Sequence, residues 1–191
     1  RVLIAAALAG DPALLIADEP TSSVDQAVQA QLIGLFNALK ADGMTMLFIT
    51  HDLGVVQRLA DRVAVMSEGR IVETAPTEQL FRAPQHDITR TLLEAQPKPT
   101  GDSSGSASAA SAVATAPRLL DVRAVSRTFR TLGAAPVHAV RGASFFLGHG
   151  ETLGIVGSSG SGKSTLARIA LGLEQPDAGS VTFLGEAWNP A

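Results

Sequence analysis

Apolar positions along the chain follow two rhythms. Leu14 to Ala17 and Met44 to Thr50 are near-continuous apolar runs of strand length, the pattern of parallel strands buried on both faces. Around them the spacing turns helical. A helix is expected over residues 1–9, ended by Gly10-Asp11-Pro12, and a second over 26–40, where Leu32, Ile33, Leu35, Phe36 and Leu39 recur at helical intervals. A short helix near 53–60 follows, and then Arg62 to Ser67 and Arg70 to Glu73 read as two strands around a Glu68-Gly69 turn. Strand, helix, strand, helix, strand predicts an α/β core with a mostly parallel sheet.

The rhythm then stops. Residues 100–116 contain 15 Ala, Ser, Gly or Thr out of 17, and Pro97, Pro99 and Pro117 fence the stretch off. With almost nothing to bury, it reads as a flexible linker. Order resumes at Leu119, with short strands expected around 119–125 and 144–147, which points to a small antiparallel β subdomain. The apolar run Thr152 to Val156 leads into a glycine-rich loop and a helix to about Leu171, and Ser180 to Leu184 is the last expected strand. The two ordered segments do not resemble each other, so the chain is not a simple repeat.

Composition narrows the class. The 191 residues are 46% hydrophobic and 17% charged, enough to bury a core. A net charge of −3 leaves no basic footprint for nucleic acid. No cysteine is present, which excludes disulfides, thiolate metal sites and cysteine nucleophiles. The longest apolar run, Val2 to Ala9, is far short of the roughly 20 residues that span a bilayer, so no direct membrane insertion is expected. No signal peptide is expected where Arg1 leads straight into a helix, and the lack of a starting methionine favours a piece of a longer protein.

The strongest chemical signal is Gly157-Ser158-Ser159-Gly160-Ser161-Gly162-Lys163-Ser164-Thr165, which fits G-x-x-x-x-G-K-[ST] between a strand and a helix. The glycines let backbone N–H groups turn inward around phosphates, and the helix N-terminus adds positive dipole. Lys163 suits the β- and γ-phosphates of a nucleotide, and the Ser164 hydroxyl suits Mg²⁺. A second signal is Asp18-Glu19-Pro20 at the end of an apolar strand, where an open α/β sheet places its active site. One carboxylate can hold Mg²⁺ through water while the next polarises an attacking water. Taken alone, the pair reads equally well as a solvated strand end, and His51 as a capping or surface residue. The remaining histidines, His86, His138 and His149, form no metal-ligand spacing, so no metal is expected beyond nucleotide-bound Mg²⁺.

Their joint order is more telling. Asp18-Glu19-Pro20-Thr21-Ser22, then Asp25, then Ile49-Thr50-His51-Asp52 resembles the ATP-binding cassette (ABC) ATPases. Ala5-Ala6-Ala7-Leu8, with Asp11-Pro12 and Leu14, is similar to the helix that follows that family's signature motif. Val28-Gln29-Ala30-Gln31-Leu32 and Pro84 to Leu93 resemble the oligopeptide/dipeptide importer branch, with Asp87-Ile88 where the branch has Pro-Tyr. The resemblance implies Asp18 and Glu19 as the Walker B pair, Asp18 on Mg²⁺ and Glu19 as general base. It implies Asp25 in the D-loop linking two sites, His51 as the switch histidine at the γ-phosphate, and Phe129 as an aromatic stacking on adenine; by its position alone Phe129 also reads as a core aromatic at a strand end. ATP and Mg²⁺ are the implied ligands. The implied partners are transmembrane permease subunits and a solute-binding protein, with the chain cytoplasmic and peripheral on the inner membrane face.

One cassette runs from Walker A through glutamine loop and signature to Walker B, D-loop and switch histidine. Here Walker B, D-loop and histidine come first and Walker A last, and no Leu-Ser-Gly-Gly-Gln occurs. The expectation is a fused tandem protein sampled across its middle. Residues 1–93 would be the back half of the first cassette, 94–117 a linker, and 118–191 the front half of the second, with the helical signature subdomain missing. Two outcomes follow. The fragment either holds an ATPase that is weak or inactive alone or serves as a non-catalytic nucleotide-binding module. In the family's sheet the Walker A strand lies between two strands of the back half. The halves are therefore complementary, and a linker of about 25 residues reaches roughly 25–30 Å. A permuted core would bring Lys163, Ser164, Asp18, Glu19 and His51 to one pocket.

Overall fold

The computed structural model describes residues 2–22, 24–95, 117–131, 133 and 135–188. The expected linker over 100–116 lies outside the described residues. Among the described residues, nine strands make two sheets. The first contains β1 (Leu14–Asp18), β2 (Thr45–Thr50), β3 (Arg62–Ser67), β4 (Arg70–Pro76) and β7 (Thr152–Val156), in the order β1-β2-β7-β3-β4. All neighbours are parallel except the β3–β4 hairpin. The second sheet is antiparallel, in the order β6-β5-β8-β9, from β5 (Arg118–Phe129), β6 (Val137–Gly148), β8 (Ala178–Phe183) and β9 (Glu186–Ala187).

The first sheet belongs to both ordered segments. β7 comes from the second segment and is inserted between β2 and β3 of the first, with Phe48 opposite Gly154 on one side and Ala64 opposite Ile155 on the other. The rim below is stitched by polar contacts. Asp61 accepts from the Thr152 N–H at 2.9 Å, Thr45 Oγ1 accepts from the Gly150 N–H at 2.8 Å, and Arg62 donates to the Phe146 carbonyl. Arg62 also pairs with buried Glu151 at 3.2 Å, outside hydrogen-bond geometry, and its guanidinium lies 4.0 Å from the Phe146 ring centroid.

Period-two alternation divides the core into layers. Met46 and Phe48 of β2 face α2 (Gln26–Ala41) and α3 (Leu53–Leu59), where Phe36 and Phe48 meet edge-on at 5.2 Å. Leu47 and Ile49 face the other way, into a cluster with Leu153 and Ile155 of β7, Leu120 and Val122 of β5, and Leu166 and Ile169 of α6 (Lys163–Ala170). Helices α1 (Val2–Leu8), α4 (Thr77–Arg82) and α5 (Asp87–Glu94) complete the fold.

The expected α/β class, with a mostly parallel sheet and a smaller antiparallel one, is what the structure has. Several boundaries move. β4 runs to Pro76 rather than Glu73, and β5 and β6 are 12 residues each, far longer than the runs expected at 119–125 and 144–147. Breaks in the β5–β6 register and the left-handed Ala124 (φ 48°) interrupt their alternation, which hides their length from the sequence. α4 and α5 were not expected as helices. α5 is fastened from outside: Glu73 accepts from the N–H groups of Gln85 and His86 and from the Thr89 hydroxyl. Among the described residues, α6 passes to β8 through residues 171–177, which form turns and no further helix or strand.

Candidate functional site

β7 ends at Val156 and the chain enters the glycine-rich loop, which turns back into α6 at Lys163. Two glycines there are obligatory. A Cβ on Gly157 would lie 2.1 Å from the Met66 carbonyl oxygen, and one on Gly162, at φ 100°, would lie 2.0 Å from that of Ala139. The loop is thus pressed between the end of β3 and the start of β6. Lys163 is 6% exposed and donates from Nζ to the carbonyls of Gly157 at 2.9 Å and Ser158 at 3.0 Å.

β1 and β2 end beside this loop. Glu19 continues the pairing, its N–H donating to the Ile49 carbonyl at 2.8 Å, and then adopts a left-handed φ of 49°. A non-glycine residue there is uncommon. Its carbonyl accepts from both the N–H and the hydroxyl of Ser22, which closes the turn. The carboxylate so aimed accepts from His51 Nδ1 at 2.9 Å through Oε2, and places Oε1 3.9 Å from Lys163 Nζ. His51 is set by the residue after it. Asp52 caps α3 by accepting from the N–H groups of Gly54 and Val55, and accepts from Gln29 Nε2 of α2 at 3.1 Å.

A cavity of about 1160 Å³ opens over this constellation. Glu19, His51, Ser158, Ser159, Gly160, Gly162, Lys163, Ser164 and Thr165 line it, so residues expected from both segments share one hollow. Gly157 and buried Ser161 form the base of the loop. The other expected residues stand apart. Asp18 is exposed at the end of β1 and does not line the cavity. Asp25 caps α2 by accepting from the Val28 N–H at 2.9 Å. Phe129 ends β5 with 39% of its surface exposed and the Arg127 guanidinium 5.1 Å from its ring centroid. Its strand partner Val137, and not Phe129 itself, reaches the cavity.

The sequence reading missed three contributors to the lining: residues 136–139 of the β6 start, Arg141, and the Glu68-Gly69 turn. The turn was legible, but nothing in its residue types marks a site. Chemically, the cavity brings together a glycine-rich loop, a buried ammonium, hydroxyls and an imidazole, a set that suits a polyphosphate. Ser164 supplies a hard oxygen of the kind Mg²⁺ takes, whereas Asp18, the expected carboxylate partner, lies at the end of β1 outside the cavity lining. Among the described residues, no group of three or more His, Cys, Asp or Glu is placed to hold a metal ion by itself, and no helix is long and apolar enough to cross a membrane.

Comparison with known proteins agrees with this geometry. Residues 140–191 match the family described as ABC transporter. The chain is 45% identical over 188 residues to the peptidoglycan transport ATP-binding protein YejF of Agrobacterium fabrum (strain C58), covering 98% of this chain and 34% of that protein. It is 42% identical over 212 residues to the glutathione import ATP-binding protein GsiA of Escherichia coli (strain K12), covering 97% and 34%. The chain spans about a third of the length of the curated relatives it matches.

Proposed function

We propose that the chain is a piece of an ABC transporter ATPase of an importer, and that these residues by themselves bind Mg-ATP in the cavity their two segments build together. The observation that carries this reading is the convergence of Lys163, Glu19 and His51, from three strand ends of two segments, on one hollow. In it the loop N–H groups and Lys163 hold the β- and γ-phosphates. Ser164 would hold the Mg²⁺, with Asp18 reaching it from the end of β1 outside the cavity lining, and the ion would neutralise phosphate charge. Glu19 takes the proton of the attacking water, and His51 orients that carboxylate and faces the γ-phosphate. Asp25 belongs to the link between two such sites, and Phe129 to the adenine end.

We read residues 1–93 as the end of one cassette, 94–117 as a linker, and 118–191 as the start of a second. Support comes from the relatives, which align along 97–98% of this chain and about a third of their own length. The transported solutes would be peptides or related small molecules. The names of the relatives and the Pro84–Leu93 segment favour that class. The partners would be permease subunits and a solute-binding protein, with the chain peripheral on the cytoplasmic face. Lacking a signature motif, these 191 residues should turn ATP over weakly or not at all. Titration calorimetry with Mg-ATP tests the binding claim. Lys163→Ala should weaken affinity about 10- to 100-fold, the worth of hydrogen bonds from a charged donor. Unchanged binding in Lys163→Ala would overturn the reading.

A further inference from the structure

We infer that Gly69, in the β3–β4 turn, is a positioning residue for the phosphate-binding loop, tying it by backbone hydrogen bonds to the start of β6. This rests on the nucleotide-site reading above. Three stretches of backbone meet here. The Gly69 N–H donates to the Ser161 carbonyl at 3.0 Å, and the Gly69 carbonyl accepts from the Arg141 N–H at 2.7 Å. The turn therefore bridges the middle of the loop and β6, one bond to each. The packing leaves no slack. Gly69 sits at φ 80°, and a Cβ there would lie 3.0 Å from the Ala139 carbonyl oxygen and 3.2 Å from that of His138. The same Ala139 carbonyl is what excludes a Cβ on Gly162, and the Met66 carbonyl three residues before Gly69 excludes one on Gly157. Residues 66–69 thus brace the loop near its entry and middle, and Ala139 closes on its exit.

The bridge has a chemical consequence. With its carbonyl tied to Gly69, the peptide group joining Ser161 and Gly162 has a fixed plane, so the Gly162 N–H on that same peptide is held in direction. The N–H groups of such a loop bind phosphate only if their directions are set before the ligand arrives, since ordering them on binding costs affinity. The turn belongs to the first segment and the loop to the second, so one segment sets the geometry with which the other binds phosphate.

The test pairs Gly69→Ala with Gly43→Ala. Gly43 has nearly the same φ, 86°, with nothing within 4 Å of its would-be Cβ, and lies in the turn before β2, so it carries the backbone strain without the bridge. Each is titrated with Mg-ATP below its melting midpoint. Gly69→Ala should raise Kd at least about 10-fold and Gly43→Ala no more than about 2-fold, even where both lower the midpoint equally. Affinity falling alike in both variants, or in neither, overturns the inference. Should Gly69→Ala fail to fold, amide exchange on the unaltered chain decides. Mg-ATP should slow exchange at Gly69 and Arg141 together with the loop amides; slowing of the loop amides alone overturns the inference. If the unaltered chain does not bind Mg-ATP, it is the nucleotide-site reading that fails.

Discussion

Ile155→Ala asks whether the two segments are one folding unit. Ile155 is fully buried at the centre of β7, bonded on both sides to strands of the first segment. Its cluster joins Leu47, Ile49, Ala64 and Met66 of that segment to Leu120, Leu147 and Leu166 of the second. Truncating a buried isoleucine to alanine costs about 2–5 kcal/mol, transfer and cavity together. For a domain of this size each kcal/mol moves the midpoint by roughly 2–4 °C, so a drop of about 10 °C is expected. The assay needs one probe from each segment. The chain has one tryptophan, Trp188, beside Phe183 of β8 at 5.3 Å between ring centroids, and its fluorescence reports the second segment. Far-UV ellipticity comes mostly from helices, and among the described residues all of these but α6 lie in the first. Both curves should coincide and should fall together in the variant, as one cooperative transition requires. A tryptophan transition that shifts while the ellipticity transition stays put would refute the shared sheet.

Two other outcomes follow from the site and the edge of the fold. Glu19→Gln removes the carboxylate that faces Lys163 and His51, a repulsion felt by any phosphate placed there. Mg-ATP should bind about 3- to 10-fold tighter by calorimetry with little change in melting, and weaker binding would count against Glu19 lining the phosphate end. The Glu73 carboxyl is pushed up by burial, but the N–H groups of Gln85 and His86 and the Thr89 hydroxyl outweigh that and hold it below its usual range. A folded pKa below the unfolded one contributes stability that is present above about pH 4.5 and lost as pH falls through the folded value. Amide exchange over residues 85–94, taken relative to the intrinsic rate at each pH, should therefore accelerate on acidification below that range. Glu73→Gln should make it fast at neutral pH, and a segment equally protected in both would contradict the anchoring role.

What could be read from the residues, and what could not, divides along a physical line. β2 and β7 were legible because a strand buried on both faces must be apolar throughout, whatever its neighbours, and β1, a partly buried edge strand, was legible from a similar apolar run. Gly157 to Thr165, Glu19 and His51 were legible because side-chain chemistry or obligatory glycine names them. α5 was not: its sequence, DITRTLLE, buries only Thr89, and the helix is held by Glu73 from a strand that ends 11 residues before it begins. β6 was half hidden, since register breaks reset its alternation, and its start lines the cavity with Pro136, Val137, His138 and Ala139. The bracing of the loop was hidden most completely. Met66, Gly69, Ala139 and Arg141 act there through carbonyls and N–H groups that every residue type carries, so no choice of side chain announces them. Their position depends on β7 entering between β2 and β3, which brings residues about 90 apart in sequence within one hydrogen bond. A glycine at 69 is the one trace such a contact leaves in the sequence, and it is indistinguishable there from the glycine of any tight turn.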